Sequence, residues 1–223
     1  MKENILKKEW YILLLLLLPF AVSIYLYPSM PESVPIHFNA AGEPDNWGPR
    51  WINAFLLPVI TIGLYFLMLA VPYIDPKKKI ESAQRQLSAI RLIITLFMLA
   101  VYAFVMIQTL SPEMNMVSYV LMAVGLLIFA IGNYMNTVKP NYFIGVRTPW
   151  TLENEENWRK THRFSAKVWS IGGLLMAAFG FFFAGSSIST VVIIGISIII
   201  CVIPFVYSYQ LYKKQGKANE KTA

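Results

Sequence analysis

Few side chains in this sequence could do chemistry. It holds two histidines, His37 and His162, one cysteine, Cys201, and 12 acidic residues in 223. Hydrolysis within a membrane by a metal ion requires a His and acid cluster such as H-E-x-x-H, which sets two ligands on one helix face beside a general base. The two histidines fall in segments predicted on opposite sides of a bilayer, so that cluster cannot form. A Gly-x-Ser-x-Gly elbow, a P-loop and a dinucleotide-binding Gly motif are absent. The lone cysteine cannot close an internal disulfide. The expectation is a chain that is not an enzyme and takes no metal and no cofactor.

Two polar segments remain. The first, Pro28 to Asn53, is too apolar and aromatic for a floppy connector. Asn39, Gly42, Pro44, Asp45 and Gly48 supply tight turns: Gly by adopting positive φ, Pro by fixing φ, and Asn or Asp by bonding nearby backbone. The predicted result is an ordered cap that folds Ile36, Phe38, Trp47 and Trp51 onto the bilayer surface or the bundle mouth and displays Glu43 and Asp45. Such a cap reads in two ways, because ordered loops on a rigid scaffold both bind and brace. It is a recognition surface for an extracellular or membrane-inserted ligand, built from His37, Phe38, Asn39, Glu43, Asp45 and Trp47, or a structural lid. His37 is expected as a hydrogen-bonded structural histidine; an intrinsic pKa of about 6.5 keeps a pH switch open.

The second segment runs from Val138 to Lys167. Turn signals and an extended aromatic piece, Asn141-Tyr142-Phe143-Ile144-Gly145-Val146-Arg147, precede a helix start. Thr148 before Pro149, or Thr151, is the predicted N-cap, and Glu153, Glu155 and Glu156 suit the positive helix terminus. Glu155 with Arg159 and Glu156 with Lys160 form i,i+4 pairs. The helix is expected to run on into an apolar span. Trp158, His162, Ser165 and Trp169 recur at helical spacing, predicting a face along the headgroups. Arg147, Arg159, Lys160, Arg163 and Lys167 then meet anionic lipid, or Arg147 and Trp150 anchor a cytoplasmic protein.

These segments are held by a scaffold with a clear solvent. Hydrophobic residues make up 57% of the chain and charged residues 14%, with a mean hydropathy of +0.54, against about a quarter charged in soluble domains. A helix needs about 20 mainly apolar residues to cross a bilayer with its backbone groups satisfied internally. Six runs qualify: Tyr11 to Tyr27, Ala54 to Ile74, Leu92 to Leu110, Val117 to Thr137, Val168 to Gly185 and Val191 to Tyr212. None contains an ionisable Asp, Glu, Lys, Arg or His. The net charge of +7 is not a nucleic-acid footprint, because the cations lie between apolar runs instead of on one folded face.

The basic residues also orient the chain, since cytoplasmic loops carry the excess. With the N-terminus inside, Lys2, Lys7, Lys8, Lys77, Lys78, Lys79, Arg85 and Arg91 are cytoplasmic. So are Lys139, the 147–167 cations, Lys213, Lys214, Lys217 and Lys221; only Arg50 is left outside. The predicted architecture is an all-α integral membrane bundle of about six transmembrane helices with both termini cytoplasmic. The first run also fits a secretory signal peptide, but bulky Ile24, Tyr25 and Leu26 favour a retained anchor. Pro19, Pro58 and Pro204 should kink or loosen their spans. Gly125, Gly132, Gly172, Gly173, Gly180 and Gly195 permit close helix approach. Gln108, Asn133 and Thr61 are expected as interhelical hydrogen-bond partners.

The run Lys139-Pro140-Asn141-Tyr142-Phe143-Ile144-Gly145-Val146-Arg147-Thr148-Pro149-Trp150-Thr151-Leu152, with Trp158 and Thr161-His162-Arg163 after it, resembles the signature of the SdpI family of bacterial membrane immunity proteins. The outer stretch from Pro31 to Gly48 resembles the N-terminal domain, of unassigned chemistry, that often precedes it. The resemblance implies a plasma-membrane protein that protects its producer from a secreted, membrane-active peptide toxin, and that also holds a cytoplasmic repressor at the membrane. The implied partners are therefore the lipid bilayer, an extracellular peptide toxin and a repressor protein, with no direct nucleic-acid contact. It further implies a division into 1–75, two helices with the outer loop at about 28–53, and 76–116, a linker and third span. Residues 117–212 form the family domain, with its motif loop at about 138–167, and 213–223 a basic tail. The inner positions singled out are Asn141, Phe143, Gly145, Arg147, Thr148, Pro149, Trp150, Thr151, Trp158 and His162.

Overall fold

The computed structural model describes residues 5–39, 43–74, 84–111, 116–183 and 186–220. Of the positions named above, Lys2, Gly42, Lys77, Lys78, Lys79, Gly185 and Lys221 lie outside these residues.

A four-residue helix, α1 (Ile5–Lys8), leads into α2 (Trp10–Leu26). A two-stranded sheet follows, β1 (Ser33–Phe38) with β2 (Pro44–Pro49). The remaining helices are α3 (Leu57–Ile74), α4 (Gln84–Leu110), α5 (Met116–Met135), α6 (Pro149–Glu153), α7 (Glu155–Phe183) and α8 (Ser187–Glu220). Six of these, α2, α3, α4, α5, α7 and α8, are long and apolar enough to span a bilayer, and each overlaps one of the six predicted runs. They pack as two groups, α2 with α3 and α4, and α5 with α7 and α8, joined across α4 and α5.

The helices outrun the apolar stretches at the end where the basic loops lie. The fourth helix begins at Gln84, not Leu92, and the seventh at Glu155, not Val168. The spans as helices are therefore not free of charge: Arg91 lies inside α4 and is buried.

The span prolines have a specific accommodation. Proline has no N–H, so Pro58 leaves the carbonyl of Ala54 without its helical partner, and Pro204 does the same to Ile200. Each orphan is met by a neighbouring helix. Ser23 Oγ donates to Ala54 O at 2.5 Å, and Trp169 Nε1 donates to Ile200 O at 2.8 Å. A π-helical turn, Ile52–Leu56, ends two residues before Pro58. In lipid, where no water can serve these carbonyls, each contact replaces a cost of several kcal/mol.

Glycine settles the distance between α5 and α7. A Cβ on Gly125 would sit 2.3 Å from Ala177 N, one on Gly173 2.4 Å from Phe129 N, and one on Gly132 2.7 Å from Ser170 N. The two antiparallel backbones thus touch along a seam, with Gly180 over Leu121 at one end. Gly172 serves α8 instead, against Ile200. Gly195 has nothing within 4 Å of its would-be Cβ and takes no part. Of the expected interhelical polar groups, Thr61 bonds only its own helix, to Leu57 O at 2.7 Å, and Asn133 is exposed. Gln108 is buried.

Candidate functional site

The outer segment is a β-hairpin, a departure from the all-α expectation. Strands β1 and β2 pair antiparallel from Ser33 opposite Pro49 to Phe38 opposite Pro44, with the register shifting around His37. Asn39 closes the turn: its Oδ1 accepts from Glu43 N–H at 3.0 Å and its own N–H donates to Glu43 O at 2.9 Å. One side of the hairpin is anchored. Met30 and Val34 are buried, the former packed with Ala54, Tyr102 and Met106. Asn53 Nδ2 donates to both Pro35 O and Thr109 Oγ1 at 3.0 Å. Arg50, the single cation of the 28–53 segment, reaches the carbonyls of Tyr27 and Met30 and lies 4.6 Å over the Tyr27 ring.

The residues singled out for recognition lie mostly on the unanchored side. His37, Glu43, Asp45 and Trp47 are exposed, and Phe38 and Asn39 half-buried. His37 is hydrogen-bonded, its Nδ1 lying 2.5 Å from Asp45 Oδ1. Of the two places expected for Ile36, Trp47 and Trp51, the bilayer surface or the bundle mouth, the second is not taken: all three are exposed, and Met30 and Val34 are buried instead.

The inner motif is a self-satisfied latch. Asn141, buried, uses its whole hydrogen-bonding capacity on its own loop. Its Oδ1 accepts from the N–H of Phe143 and Ile144 at 2.8 and 2.7 Å, and its Nδ2 donates to Lys139 O and Ile144 O. Gly145 follows with φ of +114°, a conformation closed to residues with a Cβ. His162 fills the space such a Cβ would occupy, its Nε2 only 2.1 Å away. That nitrogen accepts from Val146 N–H at 3.1 Å, while Nδ1 lies 2.8 Å from Trp158 O. A carbonyl only accepts and an amide N–H only donates, so the ring carries its proton on Nδ1. Trp158 stacks on the His162 ring at 4.0 Å and donates through Nε1 to Val138 O.

Beyond His162 the latch reaches the last helix. Thr148 caps α6 and forms a reciprocal capping box with Thr151, whose Oγ1 also donates to Val146 O. Of the two predicted caps Thr148 is the one used. Asn154 caps α7, its Oδ1 accepting from Asn157 N–H at 2.8 Å. Trp150 Nε1 donates to Ser208 Oγ at 2.9 Å and its ring stacks on Tyr212, so it is an intramolecular clamp and not a free anchor. Asn157 Nδ2 donates to Ser208 O, and Thr161 Oγ1 to Asn157 Oδ1.

The predicted headgroup face of α7 is overturned. Trp158, His162 and Ser165 are buried. Asn157, Thr161 and Ser165, spaced by four, continue the same polar stripe into the bundle, and burying it satisfies one residue's hydroxyl on another's acceptor. Arg159, Lys160, Arg163 and Lys167 are exposed instead; Lys160 pairs with Glu156 at 2.7 Å. Of the inner residues, Arg147 and Pro149 are exposed, Phe143 half-buried, and Arg147 Nη1 donates to Tyr142 O. Replacing Gly145 with alanine is expected to cost about 1–3 kcal/mol for the backbone alone and to drive His162 off Val146. Thermal unfolding in detergent reads this, and an unshifted midpoint would place His162 elsewhere.

One cluster lay outside the sequence reading. Glu9, just before the first span, and Arg91 of α4 form a buried ion pair through Arg91 Nε (3.0 Å to Oε2) and Nη2 to Oε1. Tyr65 donates its hydroxyl to Glu9 Oε2 at 3.0 Å. Burial disfavours the Glu9 charge, but hydrogen bonds from Arg91, Ser88 and Tyr65 together with the Arg91 charge outweigh it and hold the carboxyl below its ordinary value. The available signal was positional. Each residue abuts a predicted run, on the same predicted side of the bilayer, with opposite charge.

Residues 137–208 match the model of the SdpI/YfhL protein family, and residues 14–62 match that of a domain of unknown function, DUF1648. The chain is 30% identical over 214 residues to the immunity protein SdpI of Bacillus subtilis (strain 168), covering 96% of this chain and 98% of that one. No solved structure matches.

Proposed function

This chain belongs to the SdpI/YfhL family, and from that premise we propose that it protects a bacterial plasma membrane, which it crosses with six helices, against a secreted membrane-active peptide toxin. The observation that carries the reading is end-to-end similarity to a protein named for immunity, which includes both the hairpin and the latch. In this reading both termini are cytoplasmic, in keeping with the basic residues at that end. The hairpin, fixed on one side and open on the other through His37, Asp45 and Trp47, receives the peptide together with the adjoining span ends. It works by binding and not by bond chemistry.

A signalling role is supported by the position of the latch. Trp150 and Asn157 both hold Ser208, so they are among the contacts through which a change at α8 would reach the inner motif. A cytoplasmic repressor recruited to the exposed cations Arg147, Arg159 and Arg163 would sense it. The second reading, a receptor for such a regulator without immunity, rests on the same cations.

Expression of the chain in a toxin-sensitive bacterium is expected to raise survival beside a toxin-producing strain. Arg147→Ala or Trp150→Ala should lower that survival while leaving the protein in the membrane fraction, and Trp47→Ala should do the same from the outer side. Survival equal to the parent's would reject immunity. A crosslinked cytoplasmic partner recovered alongside unchanged survival would select the receptor reading.

A further inference from the structure

A groove of about 300 Å³ runs between α2 and α4. Leu18, Val22 and Leu26 form one bank and Ala103, Ile107 and Leu110 the other. These residues extend from the middle of each helix to its C-terminal end, the end where the hairpin follows α2 and opposite to the Glu9 and Arg91 pair. From Leu18 to Leu26 the groove covers about 12 Å, a little over two helical turns. Its described lining has one polar side chain, Tyr102, whose hydroxyl is already engaged, donating to Pro19 O at 2.9 Å. The groove is continuous with the hairpin's anchor, because Val22, Leu26 and Met106 also belong to the cluster around Met30.

Charge selects among apolar occupants. The loops at this end, 27–51, 111–115 and 184–186, carry Glu32, Glu43, Asp45 and Glu113 against Arg50 alone; Glu113 lies outside the described residues. The Arg50 contacts are two backbone carbonyls and the Tyr27 ring. Asp45 meets His37, while Glu32 and Glu43 are exposed, and among the described residues neither meets a cation. A phospholipid chain would fill the groove but bring its phosphate toward these carboxylates, whereas a cation at the mouth is attracted to them. A helix laid in a groove presents side chains at i, i+4 and i+7, a spacing that two turns accommodate.

We propose that this groove is the docking site of the peptide toxin, which it recognises as an apolar helix of at least two turns ending in cationic residues: the helix lies between α2 and α4 and its charged end against the hairpin's carboxylates. The proposal rests on the immunity reading and adds to it the chemistry of the peptide.

The test titrates the full chain, purified in nonionic detergent, with a synthetic leucine and alanine helix of about 18 residues that ends in lysines, and with the same helix ending in glutamates. Bound helix is counted by native mass spectrometry. The lysine helix is expected to bind about tenfold more tightly than the glutamate helix. Ala103→Phe puts a ring into the groove and should abolish binding; Gly63→Phe adds the same bulk to α3 where nothing lies within 4 Å and should retain it. Glu32→Lys with Glu43→Lys should reverse the preference. All the substituted residues are exposed, and unliganded unfolding midpoints equal to the parent's confirm that the variants fold. Equal binding of the two helices, or parental binding by Ala103→Phe, overturns the site. So does a phospholipid retained by the parent and lost in Ala103→Phe with no helix bound, which assigns the groove to an acyl chain. Survival beside a toxin-producing strain separates this proposal from the reading it rests on. Protection kept in full by Ala103→Phe removes the groove and leaves immunity standing, whereas no protection by the parent rejects immunity and with it the toxin as occupant.

Discussion

Gly173→Ala is expected to destabilise the protein by about 2–3 kcal/mol, the upper part of the range for overpacking a tight interior. Its Cβ would lie 2.4 Å from Phe129 N and 2.7 Å from Gly125 O, and both are backbone atoms that cannot rotate aside. Only a parting of α5 from α7 makes room. Gly195→Ala adds the same methyl where nothing lies within 4 Å; there the gain in helix propensity, up to about 1 kcal/mol, should leave stability equal or higher. Tryptophan fluorescence during thermal unfolding in detergent compares the two. Equal midpoints would mean that the α5 and α7 backbones do not touch. The seam matters for function because α7 carries His162 and Asn157, and its distance from α5 governs where the latch meets α8.

Arg91→Ala is expected to cost about 3–5 kcal/mol, the usual penalty for breaking a buried ion pair and stranding one charge. Glu9 would be left buried with Tyr65 and Ser88 but without its cation. The informative partner is the double variant Glu9→Leu with Arg91→Met, which removes both charges at similar volume and should recover most of the loss, because burying the pair itself is close to break-even. Acid separates the variants further. The folded Glu9 carboxyl is held below its ordinary value near 4.5. Its contribution is therefore present above that value and is lost as pH falls through the lower folded one. The parent should shed stability in that acidic window, whereas the double variant, having no carboxyl there, should not shed this part. A double variant as unstable as Arg91→Ala would show that the site needs its polar groups for packing and not for mutual neutralisation.

The glycine seam and the ion pair also show where reading residues in order succeeds. Gly125, Gly132, Gly173 and Gly180 stand out in any apolar helix, because a small residue there has few uses besides close approach. Gly195 has the same local surroundings and no partner, so composition cannot separate it from the others. Prolines behave likewise. That Pro58 and Pro204 orphan a carbonyl is covalent chemistry; that Ser23 and Trp169 answer it depends on which helices are neighbours.

The candidate sites follow the same division. Turn residues marked the outer segment as ordered, yet its strands arise from pairing between Ser33–Phe38 and Pro44–Pro49, which local pattern did not distinguish from a compact cap. The inner motif was legible as a unit, including Thr148 as a cap. Its facing was not, because Trp158, His162 and Ser165 recur at a spacing that defines one side of a helix but not what that side meets. The buried asparagines at 141, 157 and 53 take their meaning from carbonyls up to 51 residues away.

What the sequence determined by itself is the solvent and the number of crossings, because a bilayer demands long apolar runs whose backbone is satisfied within each helix. That condition is local and can be read one segment at a time. The tertiary structure alone decided the placement of the few polar groups: Glu9 on Arg91, His162 against Gly145, Trp150 and Asn157 on Ser208. A group that cannot be left unpaired in lipid must find its complement on another helix, and which helix is adjacent is a property of the packed bundle, not of any single stretch.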